Sequence, residues 1–328
     1  MSFCVKNGIA NVMRFSVIIP LYNKAPYVAK AIESVLAQTF NDFELIIVDD
    51  GSKDNSAEIA AQAIENQMNC RLIRQKNAGV SVTRNNGVVA SQGEDLCFLD
   101  ADDWWAPSFL EETAKLIAEF PEAGIYGTNY TIVNETKRKT RVSPIGVEAG
   151  FEKGYINYCQ VYAKTLAMPL WTGAVCIPRG VFEEVDGFNP RLKMGEDFDL
   201  WLRIAIRHKV AFLNNPLAFY NQDVDVRHRA IGTLPPPETQ FAFCADYLSD
   251  DIKRDPDLRH IVECIQIICL RNYYLSKNYH DEAKSVLGSI NLEPHLGKNY
   301  ADYLGRPRWM SRLLERVAYG VEKLKYGR

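Results

Sequence analysis

The chain has 328 residues, of which 47% are hydrophobic and 24% charged, a balance typical of a soluble globular protein with room for two domains. Its 38 Lys and Arg against 41 Asp and Glu give a formal net charge of -3, which disfavours a general nucleic-acid binder. We find neither the roughly 18 to 20 consecutive apolar residues of a membrane-spanning helix nor the apolar core of a signal peptide, and we therefore expect a cytoplasmic protein.

Eight cysteines are scattered along the chain, with no C-x-x-C pair and no Cys and His cluster at zinc spacing. Cys97, Cys176 and Cys269 lie inside apolar runs, where a thiol packs as a small hydrophobic group. We therefore expect all eight cysteines to be reduced and structural.

The first half of the chain alternates short apolar runs with stretches of helical periodicity. In chain order, strands are predicted at residues 15–20, 44–48, 71–74 and 95–99, and helices between them at 27–38, 59–64 and 80–91. Strands that are apolar on both faces and alternate with helices indicate a mostly parallel sheet covered on both sides. The predicted fold class is therefore α/β.

A second block, residues 170–220, adds an apolar segment, a turn, an amphipathic helix from Glu196 and a strand at 210–213. Pro235-Pro236-Pro237 then marks a boundary, because prolines neither continue a helix nor donate to a sheet ladder. We divide the chain into an N-terminal extension, a main domain and a helical C-terminal region, at residues 1–14, 15–230 and 231–328.

Acidic residues follow two predicted strands, at the edge where open α/β sheets bind ligands. Asp100, Asp102 and Asp103 repel one another, so a divalent cation completed by phosphate oxygens would stabilise them. A solvated acidic turn that caps the next helix is the alternative. Asp50 follows the second strand, where a carboxylate accepts from a ribose hydroxyl or a base N–H, or serves only in a turn.

Other candidate side chains also have two interpretations each. Tyr22 either presents its ring to a flat base or packs in the core. Arg84 lies near a helix start that could face phosphate, or it is a solvated surface residue. Glu196 and Asp197 begin a helix whose electropositive end favours ionised carboxylates, so they offer a general base or an N-cap.

A glycine-rich phosphate loop is missing, which disfavours Rossmann dehydrogenases and P-loop enzymes.

Five segments, in this order and at this spacing, resemble the family 2 glycosyltransferases, inverting enzymes with a GT-A fold: FSVIIPLYN, ELIIVDDGSKDNS, NAGVSVTRNNG, CFLDADDWW and GEDFDLWLR. The resemblance covers residues 14–220. It implies a GT-A domain, the nucleotide-diphospho-sugar transferase fold, followed by a helical C-terminal extension. It also implies transfer of one sugar from a nucleotide-diphosphate donor, with UDP expected, to a glycan or lipid-linked acceptor, with Mn²⁺ or Mg²⁺ as cofactor. Bacterial surface polysaccharide assembly is the common setting.

The resemblance assigns roles on the donor side by position. Pro20, Tyr22 and Asp50 match positions that hold the nucleotide base, with Asp50 at its N3-H. Arg84 matches a position near the diphosphate. Asp100 is the first acid of the D-x-D motif and is expected on the ribose or phosphate side of the nucleotide.

For the metal, the resemblance ranks Asp102, the last acid of the motif, before Asp103. His228 falls where some relatives place a late histidine near the metal, although NQDVDVRHR departs from the common pattern and a surface histidine is the alternative.

On the acceptor side, Glu196 and Asp197 match the E-D pair, with Asp197 as catalytic base. Trp104 and Trp171 could stack on sugar faces, although core packing is expected for at least one tryptophan.

Residues 306–328 carry seven Lys or Arg and an apolar stripe, the pattern of an interfacial helix that would bring the enzyme to the inner face of the plasma membrane. Docking on the catalytic domain or in a homodimer is the alternative. Three competing classes are disfavoured. A sugar-phosphate nucleotidyltransferase would have a glycine-rich loop where PLYNKAPYV stands, and a non-catalytic carbohydrate-binding or scaffold protein has no reason to keep metal acids and a base together. A processive polysaccharide synthase normally adds membrane helices and a Q-x-x-R-W motif, and the sequence shows neither, so addition of a single sugar is favoured.

Overall fold

The apolar runs at the start of the chain form parallel strands with helices between them. The computed structural model describes residues 13–134, 136–224 and 234–290. The first elements are β1 (Phe15–Leu21), α1 (Val28–Leu36), β2 (Phe43–Asp49), α2 (Ser56–Ala63), β3 (Cys70–Arg74), α3 (Val80–Ala90) and β4 (Asp95–Phe98). β1 lies between β2 and β4 and is parallel to both, and β3 is parallel to β2. Every residue of β2 and β4 is buried, because helices cover both faces of the sheet.

The second half of the sheet is mixed. Its elements are β5 (Trp104–Trp105), α4 (Phe109–Glu119), β6 (Ala123–Asn134), β7 (Lys139–Val142), β8 (Lys153–Ile156), α5 (Tyr158–Thr165), β9 (Val175–Pro178), α6 (Arg179–Glu184), α7 (Glu196–Ala205) and β10 (Lys209–Asn221). The strand order is β3-β2-β1-β4-β9-β6-β10-β5, with β7 on β6 and β8 on β10. β9 is antiparallel to β4 and to β6, whereas β6 and β10 are parallel. The α/β class is confirmed. The N-terminal half of the sheet is parallel throughout, whereas the second half includes antiparallel strands such as β9, because an apolar run does not encode the direction of its strand.

The described part of the C-terminal region, residues 234–290, is helical and packs on the sheet domain. It contains α8 (Phe241–Cys244), α9 (Ser249–Arg254), α10 (Pro256–Leu275) and α11 (His280–Gly288). Ile261 and Ile265 of α10 lie in the same buried cluster as Tyr158 and Tyr162 of α5. The helical region therefore shares a core with the main domain. The proposed division after residue 230 and the segments 1–12 and 306–328 lie outside the described residues.

Seven of the eight cysteines are described; all seven are free thiols and five are buried. Burial raises the pKa of Cys70 to about 11 and that of Cys159 to about 12, so these thiols stay protonated at neutral pH. Among the helices of the described ranges, none combines the length and the hydropathy needed to cross a bilayer.

Candidate active site

The loops after β1, β2 and β4, residues 22–26, 50–55 and 99–103, meet at the carboxyl edge of the parallel strands and are called here the strand-end loops. The backbone N–H of Asn23 donates to Ser52 Oγ at 3.0 Å, and Asn23 Oδ1 accepts from the backbone of Lys53 at 2.7 Å. The Lys24 ammonium contacts the Asp102 carboxylate. Acids that are far apart in the sequence therefore gather at one edge, where open α/β sheets bind ligands.

Asp50 is buried, and both of its carboxylate oxygens accept hydrogen bonds from the protein. Oδ1 accepts from Gln75 Nε2 and from Ala78 N, each at 2.8 Å. Oδ2 accepts from Asn77 Nδ2 at 3.1 Å and from Gly79 N at 3.0 Å. Four donors occupy this carboxylate, so in the structure Asp50 holds the loop that leads into α3. Its contact with a nucleotide base remains a prediction.

The other two residues assigned to the base lie on β1 and just after it. Pro20 is the penultimate residue of β1 and lies opposite Val48 of β2. Tyr22 follows the strand and is 39% exposed. The exposed ring is therefore accessible for stacking on a planar base, which the core interpretation of Tyr22 would not allow.

Arg84 of α3 joins two acidic motifs. Its Nη2 donates to Asp100 Oδ1 at 2.8 Å and its Nη1 donates to Glu196 Oε1 at 3.0 Å. The side chain is 4% exposed, and its guanidinium carbon lies 5.0 Å from the ring centroid of Phe188. Burial alone would lower the pKa of Arg84, but the two carboxylates outweigh burial and raise it. In the structure the guanidinium bridges the loop after β4 and the start of α7, and its place beside a diphosphate stays a prediction.

The first turn of α7 is supported by the C-terminal region. Lys193 N donates to Thr239 O at 2.7 Å, and Phe241 N donates to Met194 O at 3.1 Å. Gly195 then enters α7 with φ +78°, and a Cβ at this position would lie 2.8 Å from Phe241 Cβ. Glycine is thus required here by both the backbone conformation and the close approach of Phe241. The position of the helix start depends on residues that follow it by more than 40 positions in the sequence.

Asp197 is the second residue of α7 and is half-buried. Its Oδ1 accepts from the backbone of Phe198 at 2.8 Å. Burial, with Glu196 adding to it, raises the pKa of Asp197 to about 7, while the Phe198 N–H and Arg84 oppose the increase. A carboxyl group that titrates near neutral pH is suited to proton transfer, because its deprotonated form is both populated and basic.

The three acids after β4 lie in different environments. Asp103 is 2% exposed, and its Oδ1 accepts from Asn221 N at 2.8 Å, which ties the loop to the end of β10. Burial and then the neighbouring acids raise the pKa of Asp103 well above its usual range. Burial also raises the pKa of Asp102, although Lys24 opposes the increase. The three acids therefore resist being ionised together unless a positive charge lies beside them.

These residues fit a hard divalent cation. Within the three described ranges, no set of three His, Cys, Asp or Glu side chains is already arranged around a common point. Mg²⁺ and Mn²⁺, however, need only one or two protein carboxylates when phosphate oxygens and water complete the shell. Asp102, whose side chain is 16% exposed, offers one such carboxylate, whereas that of Asp103 is bound to the backbone. His228 lies outside the described residues.

A row of aromatic rings extends from the acids after β4 toward α7. The ring centroid of Trp171 lies 5.0 Å from that of Tyr130 and 5.2 Å from that of Tyr220. Burial and then the three acids raise the pKa of Tyr220, and burial raises that of Tyr130, with Asp197 among the smaller causes. Trp171 is 8% exposed and Tyr220 37% exposed, so Tyr220 provides the accessible ring of this row.

Trp104, the second tryptophan expected on the acceptor side, contacts the protein's own side chains. Its ring stacks on Phe219 with 5.5 Å between centroids, and Lys30 Nζ lies 3.0 Å from its ring centroid. The neighbouring Trp105 is buried and donates from Nε1 to Gly173 O at 2.7 Å. Trp104 and Trp105 therefore both pack against the protein itself, which is the role that the sequence expects for at least one tryptophan.

Two residues near the acids are absent from the candidates that the motifs supply. Lys24 lies two residues after Tyr22 in the strand-end loops, and Tyr220 is the penultimate residue of β10. Their signal in the sequence is weak, because it consists only of a charged or aromatic residue next to the carboxyl end of a predicted strand.

Comparison with known sequences identifies related proteins. Residues 16–185 match the model of Glycosyl transferase family 2. An uncharacterized glycosyltransferase of Rickettsia felis is 31% identical over 206 residues, which cover 62% of this chain and 32% of that protein. Glycosyltransferase GlyA of Streptococcus pneumoniae is 32% identical over 215 residues, which cover 63% of this chain and 30% of that protein. The matches thus span about a third of the length of these relatives.

Solved structures show the same fold. TarS 1-349 of S. aureus, in complex with UDP-GlcNAc, has a TM-score of 0.57 at 19% identity and covers 84% of this chain and 70% of that one. The mannosyltransferase PcManGT of Pyrobaculum calidifontis, in complex with GDP-Man and Mn²⁺, has a TM-score of 0.53 at 18% identity. The match covers 89% of this chain and 79% of PcManGT. The predicted GT-A fold is confirmed. Because the family match covers more than half of the sequence, the chain belongs to glycosyl transferase family 2.

Proposed function

We propose that this protein is an inverting, metal-dependent transferase that moves one sugar from a nucleotide-diphosphate donor to a hydroxyl of a glycan or lipid-linked acceptor. The observation that carries the proposal is the Arg84 bridge. One guanidinium contacts Asp100 at 2.8 Å and Glu196 at 3.0 Å, so the acids expected to bind the donor lie beside the helix turn that carries Asp197. Separate surfaces for these acids would have removed the basis of the proposal.

On the donor side, Tyr22 would stack on the base, and Asp100 and Asp102 would face the diphosphate. Asp102 would hold Mg²⁺ or Mn²⁺, with Asp103 as the second candidate, and the bound cation would offset the charge that develops on the leaving diphosphate. TarS binds UDP-GlcNAc and PcManGT binds GDP-Man with Mn²⁺, which supports a nucleotide-sugar donor as a class. We favour UDP because of the motif resemblance.

On the acceptor side, Asp197 would accept the proton of the attacking hydroxyl. The acceptor oxygen forms its bond to the anomeric carbon while the bond from that carbon to the diphosphate oxygen breaks on the opposite face. The bonding electrons leave with the diphosphate, the proton ends on the Asp197 carboxylate, and the configuration inverts. Glu196, paired with Arg84, would position the first turn of α7 without touching the substrate.

The wider setting is also a proposal. We place the reaction in bacterial surface polysaccharide assembly at the cytoplasmic face of the membrane, because lipid-linked acceptors lie there. Residues 306–328 would provide peripheral contact through their basic amphipathic pattern, with homodimerisation as the alternative use.

A thermal-shift panel of UDP, GDP and ADP, each with and without Mn²⁺, tests the donor class. We expect at least one diphosphate to raise the melting temperature only when Mn²⁺ is present, because bound ligand stabilises the folded state by mass action. Asp102→Asn should reduce that shift, whereas Asp250→Asn, at an exposed position of α9, should not. The donor assignment fails if no nucleotide diphosphate shifts the melting temperature in either condition.

A further inference from the structure

Arg84 and Lys24 differ in how well each could bind an anionic ligand at the strand-end loops. Among the residues that the structure describes, two cations, Arg84 and Lys24, are paired with the acids of these loops. Arg84 is 4% exposed and already paired with Asp100 and Glu196, so it could reach a ligand only by breaking both ion pairs. Its Nε has no hydrogen-bond partner, but this atom is buried and so is not accessible to a ligand. Arg84 is therefore poorly placed to bind an incoming diphosphate.

Lys24 differs because its backbone is fixed while its side chain has a single carboxylate contact among the described residues. Its N–H donates to Ser56 Oγ at 2.7 Å, and the next residue, Ala25, donates to Asp54 Oδ2 at 3.2 Å. The ammonium contacts Asp102, and the two side chains are 13% and 16% exposed. A flexible four-carbon stem on an anchored loop lets the ammonium change partners with little backbone movement.

We propose that Lys24 binds the diphosphate of the donor. When a divalent cation binds the Asp102 carboxylate, the Lys24 ammonium would move from that carboxylate to a phosphate oxygen. The proposal rests on the function proposed above. Each charge stays paired through the exchange: the cation replaces the ammonium at the carboxylate, and the ammonium neutralises phosphate. An ammonium with three donors suits phosphate oxygens as a point charge, and Tyr22, two residues earlier, would hold the base of the same ligand.

Isothermal titration of UDP and of GDP, in the presence of Mn²⁺, tests this role without an acceptor. Lys24→Met should weaken the diphosphate that the wild type binds by roughly tenfold or more, because a hydrogen bond to a charged group is lost. Lys24→Arg should restore most of the affinity because it keeps a cation. Lys277→Met, which removes an exposed lysine outside the strand-end loops, should leave the affinity unchanged.

The possible results separate the two proposals. Wild-type protein that binds neither nucleotide removes the proposed function and this role together. Binding by wild type with unchanged affinity in Lys24→Met overturns only the role of Lys24. Tighter binding in Lys24→Met also overturns it, because Lys24 would then merely compete with the cation for Asp102. Lys24→Gln, an uncharged polar substitution, repeats the test if Lys24→Met does not fold.

Discussion

The strand-end loops and the first turn of α7 both carry acids of the proposed reaction, yet they are held in place by different means. In the strand-end loops, Asp50 is held by the loop that follows β3 and Asp102 by Lys24, while Asp103 also accepts from Asn221 of β10. The turn of α7 instead depends on Arg84 from α3 and on Phe241 from the C-terminal helices. Donor binding and proton transfer should therefore fail separately when the two regions are altered.

The largest expected effect comes from Asp197→Asn, which should separate the two regions most clearly. The amide keeps the shape of the side chain but cannot accept the proton, so turnover should fall by about 10²- to 10⁴-fold. The affinity for the nucleotide diphosphate should remain, because the strand-end loops are unchanged. Release of nucleotide from the donor measures the first quantity and isothermal titration the second, with Asp250→Asn as control. An equal loss of donor affinity would show that the two regions do not act separately.

Arg84→Met should damage both regions, because Arg84 connects them. Its removal leaves Asp100 and Glu196 without a counter-charge around a buried site, so we expect a loss of about 3–5 kcal/mol in the free energy of unfolding. Urea unfolding measures it. Arg74→Met removes an ion pair to Glu58 whose side chains are more than half exposed, and it should cost about 0–1 kcal/mol. Similar losses for the two variants would refute the bridging role.

The difference between the regions also explains what the sequence could predict. The strands β1, β2 and β4 were predictable because buried apolar runs end where acidic residues begin, and parallel strands share a carboxyl edge. Lys24 and Tyr220 belong to no periodic pattern, so only the folded chain brings them to the acids. The support of Gly195 by Phe241 and the antiparallel direction of β9 likewise arise from contacts between distant segments, which no local propensity encodes.

The pH dependence of transfer sharpens the comparison by isolating α7. Because the base works only when deprotonated, and because burial with Glu196 raises the pKa of Asp197 from 3.8 to about 7, turnover should rise with pH and level off above about 7. Below that value it should fall about tenfold per pH unit. Initial rates with saturating donor between pH 4.5 and 8.5 measure this profile. A limb near pH 4 instead would mean that Asp197 titrates as an ordinary exposed carboxyl group.

The ionisation of Asp197 should also change the stability of the fold, but stability should fall as pH rises, whereas turnover increases. A pKa raised on folding means that the native state prefers the protonated carboxyl, so this contribution to stability is complete below the unfolded-state pKa and is lost as pH rises to about 7. Asp197→Asn has no proton to lose. Its melting temperature relative to the wild type should therefore increase between pH 4 and 7, and a constant difference would contradict the raised pKa.

The smallest effect is expected from Gly195→Ala, which tests whether the C-terminal helices fix the start of α7. The added methyl group would lie 2.8 Å from Phe241 Cβ, on a backbone with φ +78°, so we expect a loss of about 1–3 kcal/mol and reduced turnover with donor affinity retained. Gly180→Ala in α6 is the matched control, because its Cβ would have no atom within 4 Å and alanine favours a helix. Gly180→Ala should therefore be neutral or slightly stabilising. If Gly195→Ala is equally harmless, the close approach of Phe241 does not determine where α7 begins.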